Sequence, residues 1–271
     1  MTKGKKFLKF LAILLALTLS VGIISAAFSA IASAALVVEI ADNVGDMTSR
    51  EVGTDYDSLD ISLGGAALII KNGESFAVDS NIPALSVKSS NGKLTIKQRD
   101  FLGGIIDKKG AARVVVTIPE GTVFNDVSIT SKAGKVDVEA LTASRVDFEF
   151  GAGEVNIKKL TVTDGADIDG GVGKICIESG EINDLDLSMG VGELALTARL
   201  TGTNSLVMGV GRAVVKLVGD KNDYTIDLEK GVGPTKISGI NEKTGVYGKG
   251  RTVIEIEGGV GSTSVSFVKG E

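Results

Sequence analysis

Apolar and polar residues alternate with period two through much of the chain. Val146-Asp147-Phe148-Glu149-Phe150, Leu185-Asp186-Leu187-Ser188-Met189 and Ile226-Asp227-Leu228-Glu229-Lys230 are such stretches, as are Glu154-Val155-Asn156-Ile157, Lys174-Ile175-Cys176-Ile177 and Glu193-Leu194-Ala195-Leu196. Period two predicts extended strands with one buried and one wet face. Between these strands stands a recurring phrase of glycine, a small apolar residue and glycine. Its copies are Gly151-Ala152-Gly153, Gly171-Val172-Gly173, Gly190-Val191-Gly192, Gly209-Val210-Gly211, Gly231-Val232-Gly233 and Gly259-Val260-Gly261, with Lys132-Ala133-Gly134 as a degenerate earlier one. The second glycines of the six copies fall 20, 19, 19, 22 and 28 residues apart.

A period near 20 predicts one small supersecondary unit stacked on copies of itself. The glycines mark structural turns, because glycine reaches φ > 0 without a Cβ clash. Short pieces such as Lys158-Lys159-Leu160 and Glu139-Ala140-Leu141 return the chain to the next coil. The unit is too short for a propeller blade, and the asparagine ladder and helical return of a leucine-rich repeat are missing. The expected fold is all-β: a parallel β-solenoid of about 20-residue coils, right-handed, behind one N-terminal transmembrane helix. The last two spacings exceed the rest, which leaves the coil geometry near the C-terminus open.

The residue after each corner runs Lys135, Glu154, Lys174, Glu193, Arg212. In a stack these positions lie above one another at about 4.8 Å, so the alternating signs place opposite charges side by side.

Earlier segments fit the template less regularly. Leu59–Leu63 precedes Gly64-Gly65-Ala66, and Leu85–Ser89 precedes a corner at Ser90-Asn91-Gly92. Arg113–Pro119 reads as a strong strand ending in a Pro119-Glu120-Gly121 turn, and Phe101–Gly110 as a surface loop or hairpin. The repeat body is expected over residues 59–271, after a polar linker over 39–58.

The N-terminus is a separate object. Residues 1–9 form a basic tip with Lys3, Lys5, Lys6 and Lys9, and residues 10–38 carry no charge. Such a run is long enough to cross a bilayer, and lysines on its near side predict the N-terminus inside and the repeat domain outside the cytoplasm. The alternative is a cleaved signal peptide and a secreted product, with Ala30-Ile31-Ala32 or Ser33-Ala34-Ala35 as the cleavage site.

Composition removes several kinds of chemistry. The chain of 271 residues has no histidine, which excludes histidine general bases, serine–histidine catalysis and histidine metal sites. Its net charge of −5, without a basic tract past the N-terminus, argues against nucleic acid as a partner. One cysteine, Cys176, allows no intrachain disulfide, and the repeat places it on an outward position. With 4% aromatic residues and no tryptophan, the sequence lacks the stacked sugar platforms of a carbohydrate-active β-helix enzyme, which remains a minor reading. Ser90-Asn91-Gly92-Lys93 and Lys243-Thr244-Gly245 match S-x-x-K and K-T-G, but the first falls at a strand corner and not on the helix that such a serine requires. No cofactor is expected. The one metal candidate is calcium, on the outward acidic positions before the corners: Asp147, Asp167, Asp186 and Asp227 in one row, Glu149, Asp169 and Glu229 in another. The plainer reading of these rows is a solvated acidic face.

The strand–GxG–strand run from Val146 to Ile157, with Asp147 before its corner, resembles the putative-adhesin family of bacterial β-strand-repeat proteins. Val114–Gly121, leading into that run, and the single N-terminal apolar segment strengthen the likeness, which covers about residues 59–268. The resemblance implies a membrane-anchored domain of unknown function in the Gram-positive cell envelope, with no catalytic residues to carry over. The expected partners are the bilayer, through residues 10–38, and an envelope polymer or a surface or membrane protein. The expected function is a non-enzymatic adhesion or interaction module. The alternative is an accessory regulator of an envelope-stress response acting through the membrane segment.

Overall fold

The computed structural model describes residues 46–83, 85–98 and 112–269. The apolar N-terminal segment and the Phe101–Gly110 loop lie outside the described residues. Among the described residues no helix is long and apolar enough to cross a membrane, and the one helical piece is a 3-10 turn at Lys221–Asp223.

The strands are β1 (Thr48–Glu51), β2 (Ser58–Leu63), β3 (Ala67–Gly73), β4 (Ala77–Ser80), β5 (Leu85–Ser90), β6 (Lys93–Gln98), β7 (Arg113–Pro119) and β8 (Phe124–Ile177). There follow β9 (Gly180–Asn183), β10 (Leu185–Thr201), β11 (Thr203–Val218), β12 (Tyr224–Glu229), β13 (Thr235–Ile237), β14 (Ile240–Asn241), β15 (Gly245–Gly248) and β16 (Thr252–Val268). The 54 residues of β8 run through several coils without a break, because the glycine corners keep their ladder hydrogen bonds while the chain turns. Neighbouring coils pair in parallel, as β10 does with β8 on one side and β11 on the other. The fold is thus the expected parallel β-solenoid.

Inward positions stack into apolar columns. One column, Ile61, Ile129, Phe148, Ile168, Leu187, Leu206, Ile256 and Leu228, is almost wholly shielded from water. Burying each such side chain stabilises the fold by about 1.5–3 kcal/mol, a gain that no isolated coil could make.

The glycines of the corner form two columns of their own. At the second glycine, φ lies between +129° and +150° from Gly134 through Gly261. A Cβ on Gly192 would sit 1.8 Å from the carbonyl oxygen of Gly173, and one on Gly211 1.8 Å from that of Gly192. A side chain is therefore excluded by space as well as by dihedral angle. The first glycines are held by space alone: a Cβ on Gly171 would lie 2.3 Å from the Gly151 oxygen.

The column also gives the order of the coils, and it is not the order of the chain. Gly261 packs on Gly211, and Gly233 packs on Gly261. The last strand, β16, is inserted between β11 and β12 and pairs in parallel with both. The same happens at the other end, where β2 lies between β6 and β8, and β3 between β7 and β8. At each end one coil is skipped over and filled by a segment from elsewhere in the chain.

Antiparallel strands close both ends. β5 covers β6, while β4 covers β7 and is itself covered by β1. β15 covers β12, and β14 covers β13. Short antiparallel edges of this kind leave little free ladder for another chain. Two expectations change here. Ser90-Asn91-Gly92 is not a solenoid corner but the end of the β5–β6 hairpin, with Asn91 at φ 50° and Gly92 at φ 74°, the pair that a two-residue primed turn requires. Thr48–Glu51, inside the stretch read as linker, forms β1 because its backbone completes the edge of β4.

Candidate interaction surface

Every outward position becomes a vertical row, because the register holds from coil to coil. Glu193 lies opposite Lys174 on β8 and opposite Arg212 on β11, as the sign alternation predicts. The pairs are aligned but not in contact. Among the described residues Lys174, Glu193 and Arg212 form no ion pair within 4.0 Å, and Lys135 instead binds Asp137 on its own strand at 2.9 Å. The hydrogen bond that Lys135 donates to the Asp137 carboxylate, and the charge of that carboxylate, raise the lysine pKa.

Beside this row stand the middle residues of the corner phrase. Val191 is paired with Val172 and Val210, Val210 with Val260, and Val260 with Val232. The valines are flanked by glycine; Val172, Val191 and Val210 are half-buried. Val260 is 41% and Val232 69% exposed.

The acidic rows are partly assembled. Asp167 lies opposite Asp186, and Asp169 opposite Ser188, whose hydroxyl donates to the Asp169 carboxylate. Burial raises the Asp167 pKa first, and the charges of Asp169, Asp186, Asp147 and Glu149 add to it. These five carboxylates are therefore brought together. Asp227 and Glu229 are not: β16 intervenes, and they face Glu255 and Glu257. No three carboxylates are placed to hold a metal ion among the described residues, since each coil offers one carboxylate per row.

An open groove of about 730 Å³ runs along the same face. Asp147, Asp167 and Asp186 line it, together with residues that the repeat pattern did not single out: Asp126, Arg145 and Asp184. Arg145 binds Asp126 at 2.9 Å, and that hydrogen bond raises its pKa. Asp184, at φ 49°, spends one carboxylate oxygen on the Thr203 amide at 2.8 Å. The 19-residue separation of Asp126 and Arg145 was the legible signal for that pair.

The remaining candidates separate. Ser90 and Lys93 flank the β5–β6 turn at one end of the stack, while Lys243-Thr244-Gly245 runs into the start of β15 at the other. The Cys176 thiol is half-buried, and burial pushes its pKa up.

A stack of parallel coils with glycine corners and antiparallel caps defines a β-solenoid. The chain belongs to the Toastrack DUF4097 family, whose model matches residues 36–238. Solved structures that the chain is similar to include a putative cell adhesion protein from Clostridium sporogenes, 20% identical, with 82% of this chain and 99% of that chain covered and a TM-score of 0.33. A putative adhesin from Parabacteroides distasonis is 16% identical, with 84% and 99% covered and a TM-score of 0.41. One from Bacteroides fragilis is 11% identical, with 83% and 99% covered and a TM-score of 0.30. No curated protein matches the chain.

Proposed function

We propose that the protein is a non-enzymatic surface module, held to the cell membrane by residues 10–38 with its solenoid outside, that binds envelope polymers or proteins along its outward rows. The observation that carries this reading is the unbroken parallel register from β8 through β10 and β11 to β16, which fixes exposed side chains at regular spacing over several coils. A rigid ruler of this kind suits a repetitive or extended partner. Family membership supports a surface role, and a charge-free run behind four lysines supports the anchor.

Protease shaving of intact cells carrying a C-terminally tagged chain tests the arrangement. Loss of the tag from outside, with an N-terminal stub left in the membrane, is the expected result. A tag protected in the cytoplasm would refute it. Exchange of Phe10–Val38 for an unrelated anchor then separates adhesion, which survives, from regulation through the membrane segment, which does not.

A further inference from the structure

We infer that the corner carrying Val172, Val191, Val210 and Val260 is a contact between two copies of this chain, paired antiparallel about a two-fold axis. This names a partner for the surface-interaction reading and rests on it in that respect.

The argument begins with the aligned valines. They form a continuous apolar line through the pairings Val172, Val191, Val210, Val260, Val232, in which the first three are half-buried and the last two exposed. Isolated exposed valines need no explanation, but an aligned row on a rigid scaffold makes an apolar strip.

The adjacent charges select the occupant. The row runs positive, negative, positive, negative, positive at Lys135, Glu154, Lys174, Glu193 and Arg212. Two copies side by side and parallel, in register, set every charge against its own like. A two-fold axis perpendicular to the stack, midway between the levels of Lys174 and Glu193, does the reverse. Lys174 then faces the partner's Glu193, and Glu154 faces the partner's Arg212, each contact occurring twice as an isologous interface demands. The same operation lays Val172 on the partner's Val191 and Ala152 on the partner's Val210. An alternating row is complementary to its own inverted copy, a property that a row of one sign lacks.

The central charges are also unused within the chain. Lys174, Glu193 and Arg212 make no hydrogen bond or ion pair among the described residues, although they are stacked on one another. Their side chains are available to a partner.

The size of the strip sets the strength. Six levels, from Lys135 to Ser262, lie about 4.8 Å apart and span roughly 24 Å. With flanking side chains that is about 400–500 Å² per copy, below the roughly 800 Å² of a standard interface, so the pair is weak and reversible.

Sedimentation velocity of the full chain in neutral detergent, from about 1 to about 500 µM, reads the pairing without reading adhesion, so either can fail alone. The mass is expected to rise from one copy to two with concentration. Glu193→Lys should weaken the pair about 10-fold or more, and Lys174→Glu with Glu193→Lys should restore it to within about 3-fold. Val191→Asp should abolish it. Melting curves of each variant check folding, and the charge pair carries the test if Val191→Asp does not fold. A single copy at every concentration overturns the inference. So does a dimer indifferent to these changes, which would arise elsewhere, or one that the double exchange fails to restore. If the wild-type chain stays single while Val191→Asp loses binding to an envelope polymer, the row serves that polymer and the pairing is refuted.

Discussion

The side-chain amide of Asn204 donates to the carbonyl oxygen of Val253 at 3.1 Å, joining residues 49 positions apart in the chain. Asn204 is completely buried. It also accepts from the Leu185 amide at 3.0 Å and donates to the Thr201 oxygen at 3.1 Å. One side chain thus ties β10, β11 and the inserted β16 together. Asn204→Leu should destabilise the protein by about 2–4 kcal/mol, because it strands a buried N–H and a buried carbonyl. Urea unfolding measures this, and a change below about 0.5 kcal/mol would mean that the amide is not engaged as described.

Glycine substitutions should separate sharply by position. At Gly192 an added Cβ would meet the Gly173 oxygen at 1.8 Å, at φ +140°. At Gly165 it would meet nothing within 4 Å. Gly192→Ala is expected to cost more than about 3 kcal/mol, and Gly165→Ala less than about 1. Similar melting temperatures for the two would refute the column of close-packed corners.

The aligned but unpaired charges should contribute little each. Glu193→Lys sets a lysine between Lys174 and Arg212, whereas Glu242 lies at the β14 loop. Glu193→Lys is expected to lower stability by a few tenths of a kcal/mol more than Glu242→Lys, and the difference should shrink in high salt. Equal melting temperatures at low salt would show that the alternation has no weight within a single chain.

Asp167 provides a pH test. Its folded-state pKa is raised above the ordinary 3.8 by burial and by neighbouring carboxylates. Ionisation therefore works against the fold. The penalty is absent below the unfolded value, develops between it and the raised folded value, and is complete above. Asp167→Asn should be more stable than the parent at neutral pH and equal to it near about pH 3. A gap that persists at low pH would assign the effect to packing. Calcium at millimolar concentration should shift the melting temperature no more than magnesium does, since each row offers one carboxylate per coil; a calcium-specific rise would reveal a site.

Removal of β16 tests the order of the stack. A stop codon after Lys249 deletes a strand that β11, β12 and β13 all pair with. Hydrogen exchange should then show loss of protection in β11 and β12 together. Protection retained in β12 would mean that it can pack directly on β11.

Much of this was legible because a solenoid converts sequence period into spatial register. Glu193 stands over Lys174, and Asp186 over Asp167, as the spacing requires. The insertion of β16 was not legible in the phrase Gly259-Val260-Gly261, because a glycine corner accepts any other corner as its neighbour. The 22- and 28-residue spacings mark where the chain passes one level and returns, the longer one also holding the caps β14 and β15. The extra glycine at Gly258 belongs to the same event, since a Cβ on Gly231 would lie 1.9 Å from the Gly258 oxygen. The caps escaped because Asn91-Gly92 looks like a corner in isolation, and only its antiparallel partner strands distinguish a hairpin. The pairing of Arg145 with Asp126 in the groove was within reach of the period, since the two lie 19 residues apart, one coil from each other.

The inserted strand also sets a schedule. The chain is made from its N-terminus, so β11 is complete while the strand that will cover its edge has not yet been synthesised. At about 5–20 residues per second the ribosome needs a few seconds to travel from Val218 to Val268. For that interval an open ladder of the kind that recruits stray strands waits for its own C-terminus, and a chain released early would carry that edge permanently.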